Sequence, residues 1–294
     1  VPHLSLSVGI LLAFVCVCTL VYFVGHMTGR INVDTVIELV GDEVRQAIAR
    51  LTAETPGEQP PPVAAWHDAV PVRDARRGYL QQIDPEGLAD WAHRHGAAIR
   101  LLVRPGAFVF PGAPIALIRP DVGGADAAIR AATALAPSRA SSQDLEFAVR
   151  QLVEVAVRAL SPGINDPNTA IGVLDNLGAA LCDLVPRHLP TGVTQREGCA
   201  VLLVRAIDYE GLVDAMFHMI RQNASGSAAL LIRLVEVLTA VASAERSRAR
   251  LPALHRQADL VLAEAGHGLS SASDLDDLRR RHAAFMAMRE TGRP

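Results

Sequence analysis

The 294 residues contain no lysine; all 28 basic positions are arginine. A Walker A phosphate loop, a Schiff-base enzyme, a protein kinase and a biotinyl or lipoyl carrier each need a lysine amine. Those classes are excluded. Aromatics are scarce, at 4% of residues, and no basic stretch is interleaved with them, so nucleic-acid binding is disfavoured. A net charge of −3 provides no global field for an acidic partner. The four cysteines, Cys16, Cys18, Cys182 and Cys199, lack zinc-ligand spacing and are expected to be free, buried thiols in a reducing compartment. HExxH, GxSxG, paired CxxC and a GxGxxG after a strand are all missing. His93 and His95 are two apart, do not share a helix face and read as surface histidines. No catalytic residue, metal or cofactor is therefore assigned.

What is present begins with an uncharged apolar run, LSLSVGILLAFVCVCTLVYFVG, from Leu4 to Gly25. As a helix it spans about 30 Å, the thickness of a bilayer core. Tyr22 and Phe23 suit the interface, and His26 and Arg30 restore polarity. A signal peptide fits badly, because no basic segment precedes the run and no small-residue cleavage site follows. Arg30, Arg45 and Arg50 follow the run and no arginine precedes it. That bias is expected to place the rest of the chain on the cytoplasmic side of the membrane. Starting at Val-Pro-His, the chain reads as a fragment whose helix is the last of several spans.

The expected organisation has five parts. Residues 1–30 are the transmembrane helix. Residues 31–55 form a stalk helix capped by Asn32 or Asp34, with Ile37, Val40, Val44, Ile48 and Leu51 in one stripe. The stripe either packs on its own domain or forms a short coiled coil in a homo-oligomer. Residues 56–75 form a linker, with five prolines between Pro56 and Pro71. Residues 76–120 form a small β-rich module, read from GYLQQID, AAIRLLV and RPGAFVFPGAPIALI. Its glycine turns suit a small barrel or sandwich, and without lysine it is a structural or docking unit.

Residues 121–294 read as mainly helical. One helix, capped by Ser141 or Ser142, buries Leu145, Ala148, Leu152 and Ala156. Its Glu146, Arg150, Glu154 and Arg158 are expected to form a solvated ladder. A second runs from about Pro167 to Leu184. GCAVLLVRAIDYEG suggests a strand, after which Asp208 caps a helix. Residues 227–242 are apolar nearly all round and read as the central core helix. Two more helices follow, opened by Pro252 and capped by Ser273. The fold class is α+β, mainly α.

Between the first two of these helices lies SPGINDPNTA. Pro162 and Gly163 stop one helix, and Asp166 followed by Pro167 is an N-cap with proline at the first helical position. The loop also holds Ser161, Asn165, Asn168 and Thr169, more polar groups than a corner needs. Free N–H groups at a helix start can bind a polar ligand. Ser161, Gly163, Asn165, Asp166, Asn168 and Thr169, with Arg104, are the candidate ligand-binding residues.

The stretch RALSPGINDPNTA resembles the signature of bacterial predicted membrane proteins called domain of unknown function 2254. LVYFVGHMTGRINV resembles the end of that family's last membrane helix. RPGAFVFPGAPIALI and QDLEFAVRQLVEVAVRAL resemble the segments that precede the signature. The resemblance implies a multi-span membrane protein represented here by its final span and soluble portion. It implies no activity.

The leading expectation is a membrane-anchored, non-enzymatic module that senses, scaffolds or gates. The alternatives are a hydrolase with a polar site at SPGINDPNTA and the vestibule of a channel or transporter. The expected partner is the lipid bilayer, with a homo-oligomer through the stalk helix.

Overall fold

A computed structural model describes residues 3–30, 33–139, 142–224 and 226–291. Helix α1 (His3–Arg30) contains a stretch, Leu6–Phe23, long and apolar enough to cross a membrane. No part of that stretch is buried by the rest of the chain. The hydroxyls of Ser7 and Thr19 donate to the carbonyls of His3 and Val15, so both are satisfied within the helix. Cys16 and Cys18 lie on the candidate span, where no other part of the chain covers them, while Cys199 is exposed and Cys182 half-buried, contrary to the expected burial. Cys199 sits where a hairpin turn enters its strand.

Helix α2 (Val33–Leu51) opens directly after. Asn32 lies outside the described residues, and Asp34 falls inside the first turn rather than capping it. Ile37, Val44, Ala47 and Ile48 are buried. They pack against α5 (Leu145–Ala159) and α6 (Pro167–Leu184) of the same chain. A Cβ on Gly41 would lie 2.6 Å from the Asn176 amide oxygen of α6. The stripe is thus occupied by its own domain, and an intersubunit coiled coil through it would require unpacking a core face.

The remaining helices complete that core. Helix α7 (Tyr209–Asn223) lies on α5, α8 (Ala228–Ala244) on α6, and α9 (Leu251–Gly268) and α10 (Ala272–Thr291) on α8. Leu230, Leu231, Leu234, Val235 and Leu238 are fully or almost fully buried, which makes α8 central. Burying each such side chain contributes about 1.5–3 kcal/mol. The caps follow short-range chemistry. Asp144 caps α5 by accepting from the Phe147 amide at 3.1 Å, and Asp208 caps α7 by accepting from the Gly211 amide at 2.7 Å. Asp144 therefore replaces the expected serine: Ser142 lies upstream of the helix and Ser141 is outside the described residues. Helix α10 starts one residue before Ser273, and it is Ser271 that accepts from the Asp274 amide.

Among the described residues, eight strands form two sheets: β1 (Val70–Arg73), β2 (Gly78–Ile83), β3 (Ala98–Leu101), β4 (Phe108–Val109), β5 (Pro114–Arg119), β6 (Thr133–Ala136), β7 (Val193–Arg196) and β8 (Cys199–Val204). The larger runs in the order β1-β5-β3-β8-β7 and the smaller β4-β2-β6. Helices α3 (Pro85–Arg94) and α4 (Ala125–Ala131) cover them, with Leu80, Leu88, Ile99, Ile115, Ile118 and Ile129 in a second core. Two sequence-based boundaries move. The proline-rich stretch contains β1, because Val70–Arg73 pairs antiparallel with β5 at a sheet edge where Pro71 is tolerated. The β-rich part also extends beyond residue 120: β6 pairs with β2, and β8 pairs in parallel with β3. The chain leaves the sheets, builds α5 and α6, and returns with the β7–β8 hairpin.

Candidate functional site

The SPGINDPNTA segment joins α5 to α6, and most of its polar groups are used inside the corner. The Asp166 carboxylate accepts from the amides of Asn168 and Thr169 at 3.1 and 3.2 Å. The Thr169 hydroxyl donates to its other oxygen at 2.6 Å. That hydroxyl, with the amides, holds the Asp166 carboxyl below the usual carboxylate range. The Ser161 hydroxyl donates to the Arg158 carbonyl at 2.7 Å. The amides of Ile164, Asn165 and Asp166 donate to the carbonyls of Ser161 and Ala159 at 2.8–3.0 Å. The left-handed residue of the corner is Asn165, with φ of 49°, and not Gly163. Asparagine tolerates that region better than other non-glycine residues. The Asp166 carboxylate already fills the helix N-terminus, so an outside anion finds that position taken.

The corner borders a concavity of about 260 Å³. Its wall includes Asp166, Thr169, Arg158 and Ile164, together with Val33 and Val36 from the first turn of α2. Of the sequence-based candidates, only Asp166 and Thr169 reach it. Gly163, Asn165 and Asn168 are exposed outside it, and Ser161 is turned to its own helix end. Both carboxylates of the wall are engaged, because Glu154 pairs with Arg158 at 2.7 Å and Asp166 caps α6. Arg30 and Val33 are three Cα steps apart, so no more than about 11 Å divides the ends of α1 and α2. The signature corner therefore lies at the span-proximal end of the helical core.

Arg104 belongs elsewhere, in the loop after β3. It pairs with Glu146 of α5, which is 6% exposed. Glu146 also accepts from Arg150 at 2.6 Å, and Arg139 lies 3.9 Å from it. The first rung of the expected solvated ladder is thus a buried junction between the sheets and the helical core. Glu154 and Arg158 form the solvated rung, with both side chains about 70% exposed. Sequence spacing gives the i, i+4 pairs but not the arrival of Arg104 from 42 positions away.

The comparisons with known proteins bear on this corner and this span. A family model described as a predicted membrane protein (DUF2254) matches residues 1–240. The chain belongs to that family. Uncharacterised proteins of Mycobacterium tuberculosis and Mycobacterium bovis are each 30% identical over 287 residues. The alignment takes in 93% of this chain and 55% of each relative. The chain thus spans about half the length of the curated relatives it matches. No solved structure matches it. Membrane association is supported by the family and by α1, and the molecular function of the family is unknown.

Proposed function

We propose that the chain is a membrane-tethered, non-enzymatic sensing module in which α2 couples the span to the soluble core. The observation that carries this reading is the course of α2. Its first turn walls the signature corner beside the end of α1. Its middle is locked into the helical core through Ile37, Val44 and Ile48. Its last residues, Arg50 and Leu51, line a cleft beside the sheets. A packed helix moves as a unit, so a change at one end reaches the other. The signature corner then serves as the rigid span-side face of the core. The arginines at positions 30, 45 and 50 support a cytoplasmic placement at an inner membrane. Reporter fusions after Arg30 test that placement, and a periplasmic signal refutes it.

Cys16 and Cys18 provide the test of coupling. With the chain in nanodiscs, Val44→Ala should change the rate at which a membrane-permeant maleimide labels them. Ile99→Ala, in the sheet core, should not. Equal labelling in wild type and Val44→Ala would remove the support for coupling.

A further inference from the structure

A cleft of about 510 Å³ opens at the seam between the helical core and the sheets. Three arginines from distant parts of the chain line it: Arg50 lies in the last turn of α2, Arg104 follows β3 and Arg205 follows β8. Their ion pairing is incomplete. Arg50 makes one hydrogen bond, to the Ser142 carbonyl at 3.2 Å, and has no carboxylate partner among the described residues. Arg205 is exposed and has no ion pair among them. Arg104 shares Glu146 with Arg150 and Arg139, and Asp144 in the same wall is held by Arg139 at 2.9 Å. Burial, and the charges of Arg205, Arg139 and Arg150, push the Arg104 guanidinium below its usual range, with Asp144 opposing. Cationic charge therefore exceeds the carboxylates available to balance it.

The rest of the wall is mostly apolar, with the Gln143 amide and two hydroxyls. Leu51, Ile83, Pro190 and Val204 supply apolar surface, and Thr191 and Thr194 supply donors. Guanidinium forks match phosphate oxygens, and the volume lies within the 300–1,000 Å³ range of small-molecule sites.

We infer that this cleft binds a small organic phosphate, its phosphate held by Arg50, Arg104 and Arg205 and its apolar body lying against Leu51 and Val204. The position favours a soluble ligand over a lipid headgroup. Arg50 lies seventeen residues along α2 from Val33, about 25 Å from the span-side end. The inference deepens the sensing reading by naming its ligand class, yet binding does not require coupling to α1.

The test is calorimetric titration of the whole chain in phosphatidylcholine nanodiscs. Phenyl phosphate is expected to bind, and inorganic phosphate to bind about tenfold more weakly for want of the apolar body. Arg205→Gln and Arg50→Gln should each weaken phenyl phosphate about tenfold or more without lowering the unfolding temperature, since neither arginine holds an ion pair. Arg158→Gln, at the signature concavity, should leave binding unchanged. No binding at millimolar phenyl phosphate, or equal binding by wild type and Arg205→Gln, overturns the site. Titration in nanodiscs doped with phosphatidic acid separates the sources. Unchanged binding supports a soluble ligand, and abolished binding overturns it in favour of a headgroup. Intact phosphate binding with unchanged cysteine labelling would sink the coupling alone.

Discussion

Gly192→Ala is expected to destabilise the chain by about 2–3 kcal/mol, through backbone geometry at the β7–β8 hairpin. Gly192 has φ of 74°, and its carbonyl accepts from the Val204 amide at 2.8 Å. A Cβ there would stand 1.9 Å from the Val204 carbonyl oxygen, so the two strands must part. Holding alanine in the left-handed region costs about 1–2 kcal/mol. Relieving the backbone clash costs about 1–3 kcal/mol more. The stiffer unfolded chain offsets about 0.4–1 kcal/mol. Trp66 is buried beside β5 through Arg119, and Trp91 packs against the sheet core, so tryptophan fluorescence reports this part of the fold. Urea unfolding should show the midpoint falling by about 1 M for a slope near 2 kcal/mol per molar. Gly163→Ala is the control: no atom lies within 4 Å of its added Cβ and its φ is not left-handed, so it should be neutral or stabilising by up to about 1 kcal/mol. A midpoint for Gly192→Ala within error of wild type would refute the reasoning from close approach.

Arg187 donates to the Thr52 hydroxyl at 2.6 Å and to the Ala49 and Thr52 carbonyls at 2.9 Å, closing the end of α2. Arg187→Ala should cost about 1–3 kcal/mol, with hydrogen exchange faster in the last turn of α2 and unchanged in its first. Asp74 is buried, and hydrogen bonds from the Arg76 guanidinium hold its carboxyl below the usual range. Its contribution is therefore present above the unfolded carboxylate value of about 3.9 and is lost as pH falls through the lower folded value. Acid unfolding of Asp74→Asn should show a shallower pH dependence in that window, and an identical profile would contradict the assignment. Val15→Arg places a charge midway along Leu6–Phe23 and should raise the apparent insertion free energy by about 2.5–3.5 kcal/mol, read from the fraction resisting alkaline extraction.

Local chemistry was legible in the sequence wherever neighbours a few positions apart suffice. An uncharged run from Leu4 to Gly25 gave the span. Asp166-Pro167 gave the start of α6, and Asp208 that of α7, because a capping carboxylate needs only amides two or three residues on. The stripe on α2 marked a buried face, and periodicity says nothing of whether the covering surface belongs to the same chain. That surface is α5 and α6, brought from 94 or more positions further along the chain.

The candidate residues divide on the same principle. Asp166 and Thr169 satisfy each other and Ser161 bonds the Arg158 carbonyl, so the surplus polarity of the corner was visible while its internal use was not. Pro162 and Gly163 were expected to stop a helix, and α5 ends just before them; the left-handed residue of the corner, Asn165, was not foreseen. Arg104 was grouped with them by residue type, and the fold carries it to Glu146 instead. The sequence alone determined the apolar run of the span, the starts of α6 and α7, the apolar faces and the absence of lysine chemistry. Only tertiary structure decided that β8 pairs with β3 and that Arg50, Arg104 and Arg205 border one cleft. Charges so far apart in the chain meet only after the sheets and the helical core have packed, and no local pattern encodes that meeting.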